Sequence, residues 1–219
     1  MNLRQKLSDS DLQRIKTAVT KAEQKISGEI VPVIVERSSD YTIANYKASI
    51  IVAALTFLMM ILLDRYILDE ATNTLFYDPA FIFVVVVLGG VIGAALPHFF
   101  EDIKRMLVSR SYLDLMTRQT AENAFLEEEV FNTKQRTGIM IFVSFFEHEV
   151  IVMADQGISK VVEQKQWDQI VQEIVQRIRN GEIVEALEHG IQKCGDILLE
   201  KGFLKTDDDT NELHNELRV

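Results

Sequence analysis

The sequence predicts a small α/β domain that is discontinuous along the chain and carries an inserted two-helix transmembrane hairpin. Two uncharged, largely apolar runs, over residues 48–63 and 79–100, are suited to crossing a membrane. A β-rich run precedes them at 29–36, and a strand hairpin follows them at 139–154. Because a two-stranded hairpin is only marginally stable alone, the two halves are predicted to form one mixed sheet.

An amphipathic helix opens the domain. Apolar residues recur at steps of three and four over residues 12–26, which is the pattern of a helix with one buried face. Ser8 and Asp11 resemble a capping box at its start, and Gly28 supplies a stop. We therefore expect this helix to cover one face of the sheet.

The strands follow from β-rich and apolar runs and from proline. The run over 29–36 contains Pro32, which lacks a backbone N–H and places the strand at a sheet edge or a bulge. Residues 139–146 and 149–154 predict an antiparallel hairpin. A helix near 108–131 leads into it, so the first two strands should be parallel and joined by a right-handed crossover, with the transmembrane hairpin as an insertion.

Two amphipathic helices, with buried faces over 167–178 and 184–198, complete the domain. Residues 206–219 carry five acidic residues and one arginine, a composition typical of disorder. The predicted segments are the first part of the domain (1–47), the transmembrane hairpin (48–100), the second part of the domain (101–205) and an acidic disordered tail (206–219).

Composition excludes several classes of function. The chain has 219 residues and a formal net charge of −10, so we do not expect a nucleic-acid surface, which requires clustered Lys and Arg. The single cysteine, Cys194, excludes an intramolecular disulfide framework and a cysteine-only metal site. Residues 1–26 contain no apolar run of seven residues, so no cleavable signal peptide is expected.

Basic residues near the apolar runs are unevenly distributed. Six lie outside the hairpin, and one, Arg65, lies in the loop from Asp64 to Asp78. The positive-inside rule then predicts a multi-pass protein of the inner (cytoplasmic) membrane with both termini in the cytoplasm. The six outer basic residues are Arg37, Lys47, Lys104, Arg105, Arg110 and Arg118.

The second apolar run presents small residues at helical spacing. Gly89 and Gly93 form a G-x-x-x-G pattern, and Gly90 with Ala94 repeats the step one residue later. Such a face lets helix backbones approach closely in lipid. It is predicted to be a helix interface, either between the two spans of one hairpin or between two copies in a homo-oligomer.

Carboxylates at predicted strand ends are candidate ligands for a hard cation such as Ca²⁺ or Mg²⁺, although no cofactor is certain from the sequence. Asp155 ends the third strand, while Glu29, Glu36 and Asp40 flank the first strand. The alternative for Asp155 is an N-cap or Asx-turn residue that ends the strand.

A second candidate site precedes the first strand of the strand hairpin. Arg136, Thr137 and Gly138 offer a guanidinium and backbone N–H groups to a phosphate. The alternative is an ordinary turn in which glycine adopts a positive φ. The sequence contains no G-x-x-x-x-G-K-[ST] motif, no H-E-x-x-H motif and no Cys/His pair at zinc-binding spacing. No residue is therefore recognisable as the Cys or His nucleophile of a phosphatase.

The stretch 136–158 resembles the TPM domain, which plant thylakoid acid phosphatase, photosystem repair proteins and many bacterial membrane proteins share. It has that domain's order: a Thr-Gly turn, an apolar strand, a charged turn, a second strand and the corner Asp155-Gln156-Gly157-Ile158. The resemblance implies a small mixed-sheet α/β sandwich, and an association with phosphatase activity, calcium or metal binding and maintenance of membrane complexes. It also implies LemA-type membrane proteins as partners.

This chain departs from the common layout of that family, in which the domain is exported and a membrane segment follows it. We therefore expect a membrane-embedded interaction module with a cytoplasmic domain, which assists or scaffolds a membrane protein assembly. Its expected partners are the lipid bilayer and a membrane protein. The alternative is a metal-assisted phosphatase acting on phosphomonoesters, in which Asp155 helps to hold the cation.

Overall fold

The computed structural model describes residues 7–66, 78–205 and 212–218. The chain divides into two compact units. One unit combines Met1–Ser38 with Asp114–Val219, and the other is Ser39–Leu113. The α/β unit is therefore discontinuous, and the segment between its halves contains both long apolar helices, which confirms the predicted fold class.

The first helix, α1, spans Asp9–Glu23 and has the predicted capping box. The N–H of Asp11 donates to Oγ of Ser8 at 3.3 Å, and the N–H of Ser8 donates to Oδ2 of Asp11 at 3.0 Å. These bonds satisfy N–H groups that a helix start leaves without partners. Ile15 and Val19 on its apolar face are completely buried.

The described part of the α/β unit contains one three-stranded sheet, formed by β1 (Glu29–Val35), β2 (Gly138–Ser144) and β3 (Glu149–Ala154). Strand β2 is central, parallel to β1 and antiparallel to β3, as predicted. Pro32 lies in the edge strand β1, and its backbone faces away from β2. Its missing N–H therefore removes no hydrogen bond between β1 and β2.

Strand β2 is buried on both faces, which explains its unbroken apolar sequence. Residues 139, 141 and 143 belong to the larger core, together with apolar residues of α1 and of the two last helices. Met140 and Phe142 belong to a smaller core that includes Ala121 and Val130. Helices therefore cover both faces of the sheet.

Four helices of the described chain lie wholly or mostly in the second half of the α/β unit: α5 (Arg110–Glu127), α6 (Gln156–Ser159), α7 (Gln164–Arg179) and α8 (Ile183–Glu200). Gly181 and Gly202 have φ of +85° and +87° and end α7 and α8 as glycine stops, as predicted. Cys194 is completely buried in α8, and burial raises the pKa of its thiol to about 12. This cysteine is therefore chemically inert.

The inserted unit contains α2 (Ile43–Tyr66), α3 (Pro79–Phe99) and the short α4 (Glu101–Leu107). Helices α2 and α3 are long and apolar enough to cross a membrane. Helix α2 extends beyond the predicted run 48–63 because the polar residues that flank the run also accept helical geometry. The predicted loop lies largely at 67–77, outside the described residues.

The small residues of α3 face α2. A Cβ added to Gly89 would lie 2.3 Å from Oγ1 of Thr56, and one added to Gly93 would lie 2.7 Å from the carbonyl oxygen of Ala48. A Cβ on Gly90 would lie 3.4 Å from Oγ of Ser49. The structure thus places these glycines between the two helices of one hairpin, and contact with a second copy stays a prediction.

Residues 212–218, within the tail 206–219 for which the sequence predicts disorder, are described in the structure and contact the α/β unit. The N–H of Arg218 donates to the carbonyl oxygen of Pro32 at 3.1 Å, and the N–H of Ile34 donates to that of Arg218 at 2.9 Å. Leu213 packs against the smaller core. This segment thus contacts the edge of β1 through Arg218 and the smaller core through Leu213, and disorder of the tail stays a prediction. Residues 206–211 lie outside the described residues.

Candidate functional site

The two candidate sites predicted before β2 and after β3 meet in one ion pair. Nε of Arg136 lies 2.7 Å from Oδ2 of Asp155, and Nη2 donates to Oδ1 at 2.9 Å. They meet because Ile139 of β2 lies opposite Ala154 of β3. The Asp155 side chain is 5% exposed and the Arg136 side chain 52% exposed, so the arginine covers an otherwise buried carboxylate.

Asp155 is also the N-cap of α6, which was the alternative role considered for it. Its Oδ1 accepts the N–H of Gln156 at 2.7 Å, and its own N–H donates to the carbonyl oxygen of Gly138 at 2.9 Å. A guanidinium and a backbone donor thus neutralise the carboxylate. This arrangement ends β3 and begins α6 at a fixed position.

The predicted phosphate-binding turn is engaged internally. Arg136 has a φ of +58°, its guanidinium bonds Asp155, and its Cζ lies 5.8 Å from the ring centroid of Phe131. The N–H of Thr137 donates to Oγ1 of Thr133 at 2.8 Å. The guanidinium and this N–H therefore hold the turn rather than face an open anion site, because the sheet register brings Asp155 to the arginine.

Gly138 serves a different purpose from the positive φ considered for it, which Arg136 adopts instead. A Cβ on Gly138 would lie 1.9 Å from the carbonyl oxygen of Val130. Glycine is required here because two stretches of backbone pass against each other. The Thr-Gly signature thus marks a close contact between the segment after α5 and β2.

The four predicted metal ligands do not converge. Glu29 begins β1, whereas Glu36 and Asp40 follow its other end, and a seven-residue strand is about 20 Å long. Asp155 is engaged with Arg136. Across 7–66, 78–205 and 212–218, no group of three or more His, Cys, Asp or Glu residues could hold a metal ion. The predicted set does not fit a Ca²⁺ or Mg²⁺ site, because its carboxylates flank opposite ends of the strand.

Glu29 instead belongs to a buried carboxyl pair with Glu23, which the sequence analysis missed. Oε1 of Glu23 accepts the N–H of Ile30 at 2.9 Å, and Oε1 of Glu29 accepts the N–H of Glu212 at 3.0 Å. Burial raises the pKa of Glu23 to about 8 and raises the pKa of Glu29. The available signal was the spacing of Glu23, which places it on the apolar face of α1 after Val19.

A second buried carboxylate lies at the other end of the parallel strands. Glu147 is completely buried, and its Oε1 accepts the N–H of Ser38 at 2.8 Å. Oγ of Ser144 donates to its Oε2, and the hydroxyls of Ser38 and Ser144 lie 3.1 Å apart. Glu147 was assigned to a hairpin turn, and nothing in the sequence placed Ser38 beside it. The carboxylate fixes the end of β1 to the turn after β2.

Comparisons with known proteins agree with this fold. Residues 106–197 match the family model of the TPM domain. The fold is similar to the NMR structure of the BA42 protein from the psychrophilic bacterium Bizionia argentinensis, with a TM-score of 0.57 and 20% identity over 97% of this chain and 94% of that chain. No curated protein matches the sequence. The resemblance of residues 136–158 to the TPM domain is thus confirmed by the match of the family model over residues 106–197.

Proposed function

We propose that the chain is a membrane-embedded interaction module, which tethers a TPM domain to the inner membrane and scaffolds a membrane protein assembly. The observation that carries this proposal is the surface of the inserted helices. Only 11% and 17% of the most apolar stretches of α2 and α3 are buried. An apolar helix in the core of a soluble protein would be mostly buried, so lipid and protein partners are the natural surroundings of these faces.

The distribution of side chains on the hairpin supports the same proposal. Small residues of α3 face α2, which lets the two backbones approach closely. Large apolar residues remain on the outer faces, where they can contact lipid or another membrane protein. The resemblance to the TPM family suggests a LemA-type protein as that partner. The exposed residues include Leu55, Phe57, Leu58, Phe83, Leu88 and Ile92.

The Arg136–Asp155 pair favours an interaction role over the alternative, a metal-assisted phosphatase. A metal-assisted phosphatase needs a carboxylate that is free to bind the metal ion and a cationic group that is free to bind the phosphate. Here the two groups bond each other, and Asp155 caps α6. Neutralising Arg136 should destabilise the corner, because it leaves the buried carboxylate of Asp155 without its partner.

The two functions predict different outcomes for the full-length protein, extracted from its native membrane in mild detergent. Light scattering should find a complex of fixed stoichiometry that is heavier than the 25.0 kDa chain. Hydrolysis of p-nitrophenyl phosphate should not respond to Ca²⁺ or Mg²⁺, and Asp155→Asn should behave as the matched variant Asp196→Asn does. A 25.0 kDa monomer whose metal-dependent hydrolysis disappears only in Asp155→Asn would establish the phosphatase instead.

A further inference from the structure

Residues 212–218, here called the C-terminal strap, cover the outer edge of β1. The strap bonds that edge through Arg218 alone, whose N–H and carbonyl oxygen pair with Pro32 and Ile34 within the described chain. Nε of Arg218 also donates to Oε2 of Glu128. A strand edge with unpaired backbone groups readily accepts other strands, so the strap shields a sensitive part of the sheet.

The strap also bonds the buried carboxyl pair. The N–H of Glu212 donates to Oε1 of Glu29 at 3.0 Å, and Nδ2 of Asn215 donates to Oε2 of Glu23. The same Nδ2 lies 3.3 Å from Oγ1 of Thr20. The strap therefore rests on two carboxyls that belong to α1 and β1.

Charged groups of both signs surround the pair, including Lys134, whose Nζ lies 3.9 Å from Oε1 of Glu212. The carboxylate of Glu212 adds a negative charge beside Glu29, and Lys205 is the cation that faces Glu23. Nζ of Lys205 donates to the backbone carbonyl oxygen of Glu23 at 3.1 Å. The pair thus keeps a proton at pH values where an exposed carboxyl is ionised, because burial penalises its charged form more than these donors stabilise it.

We propose that the strap is a proton-controlled cover of the β1 edge. It is bound while Glu23 and Glu29 retain a proton, and it detaches when both side chains become anions. Ionisation places two like charges in a buried site next to Glu212, and detachment lets water reach them. Detachment also frees the backbone groups of Pro32 and Ile34 at the edge of the sheet.

The sign of the pH dependence follows from the raised pKa values. A glutamate in a solvated state titrates near 4.5, whereas Glu23 in the strapped state titrates at about 8. The strapped state therefore binds more protons between these values, and its stability falls as the pH rises through them. The stabilisation that the bound proton gives to the strapped state is complete below the lower pKa and is lost above the upper pKa.

Hydrogen exchange of the full-length protein in detergent micelles tests this proposal. The amide of Ile34 reports on the strap because it donates to Arg218. Its protection factor should fall at least about tenfold between about pH 7 and about pH 9.5, a range above the usual titration of histidine. The amide of Phe142, in the central strand, should keep its protection over the same range.

Variants in which glutamine replaces Glu23 or Glu29 test whether this carboxyl pair causes the pH response. Glu23→Gln, or Glu29→Gln if the first variant does not fold, should remove most of the pH response of the Ile34 amide. Glu216→Gln is the matched control, because Glu216 is on the strap but pairs with exposed Lys16. An Ile34 amide that ignores pH, an equal loss at Phe142, or a full response in the neutral variant would each overturn the proposal.

Discussion

A chain in which a short Gly/Ser linker replaces residues 39–113 is expected to be soluble and to unfold in one cooperative transition. The ends to be joined are close, because the carbonyl oxygen of Ser38 accepts Oγ1 of Thr120 at 3.1 Å. Asp114 precedes Thr120 by about 9 Å along the helix, so a linker of about eight residues reaches it. Both cores of the sheet are then retained.

The fragment 101–205 alone is expected to be molten or aggregated, which makes it the control for that result. It lacks α1 and β1, and with them Ile15, Val19, Ile30 and Ile34, all completely buried in the larger core. Burial of each contributes about 1.5–3 kcal/mol, so the loss approaches the ~5–15 kcal/mol stability of an ordinary domain. Circular dichroism during urea unfolding distinguishes the linked chain from the fragment. Cooperative unfolding of the fragment would disprove the split domain.

The second large effect is expected from Gly138→Ala, which should destabilise the α/β unit by at least about 3 kcal/mol. The new Cβ would lie 1.9 Å from the carbonyl oxygen of Val130, and backbone on both sides limits relaxation. Gly195→Ala in α8 is the matched control, because its Cβ would lie 3.4 Å from that of Ala22. We expect that variant to stay within about 1 kcal/mol of wild type.

Urea unfolding gives the free energy of unfolding of both glycine variants. The result also distinguishes a steric role of Gly138 from a role in phosphate binding. If Gly138 serves the approach of two backbones, the free energy of unfolding falls sharply. If it serves a phosphate, the fold should tolerate alanine and only anion binding should change. A loss below about 0.5 kcal/mol for Gly138→Ala would contradict the steric role.

Local patterns predicted most of the fold. The spacing of the apolar residues in α1, the capping box at Ser8 and the apolar runs before and after Glu147 each depend on neighbours within a few residues. The edge position of Pro32 followed from a missing N–H group. Such features are encoded within single elements, so no knowledge of the register between strands was needed.

The candidate site was harder to predict because it depends on register and on distant contacts. Arg136 and Asp155 were each recognised, yet only the pairing of β2 with β3 shows that they neutralise each other. The carboxyl pair joins Glu23 to Glu29 and then to Glu212, a contact between residues 183 positions apart. Sequence separation of that kind leaves no periodic signal.

Cysteine accessibility in sealed cells most directly tests the central claim, a single domain interrupted by a membrane hairpin. Native Cys194 is completely buried and should not react with a maleimide. Single cysteines can therefore be introduced at exposed Gln13 and Lys165, and at Asn73 between the spans. An impermeant maleimide should label Asn73→Cys in intact cells, and Gln13→Cys and Lys165→Cys only after permeabilisation. Labelling of Gln13→Cys and Lys165→Cys from opposite sides, or of all three positions from the same side, would contradict the account.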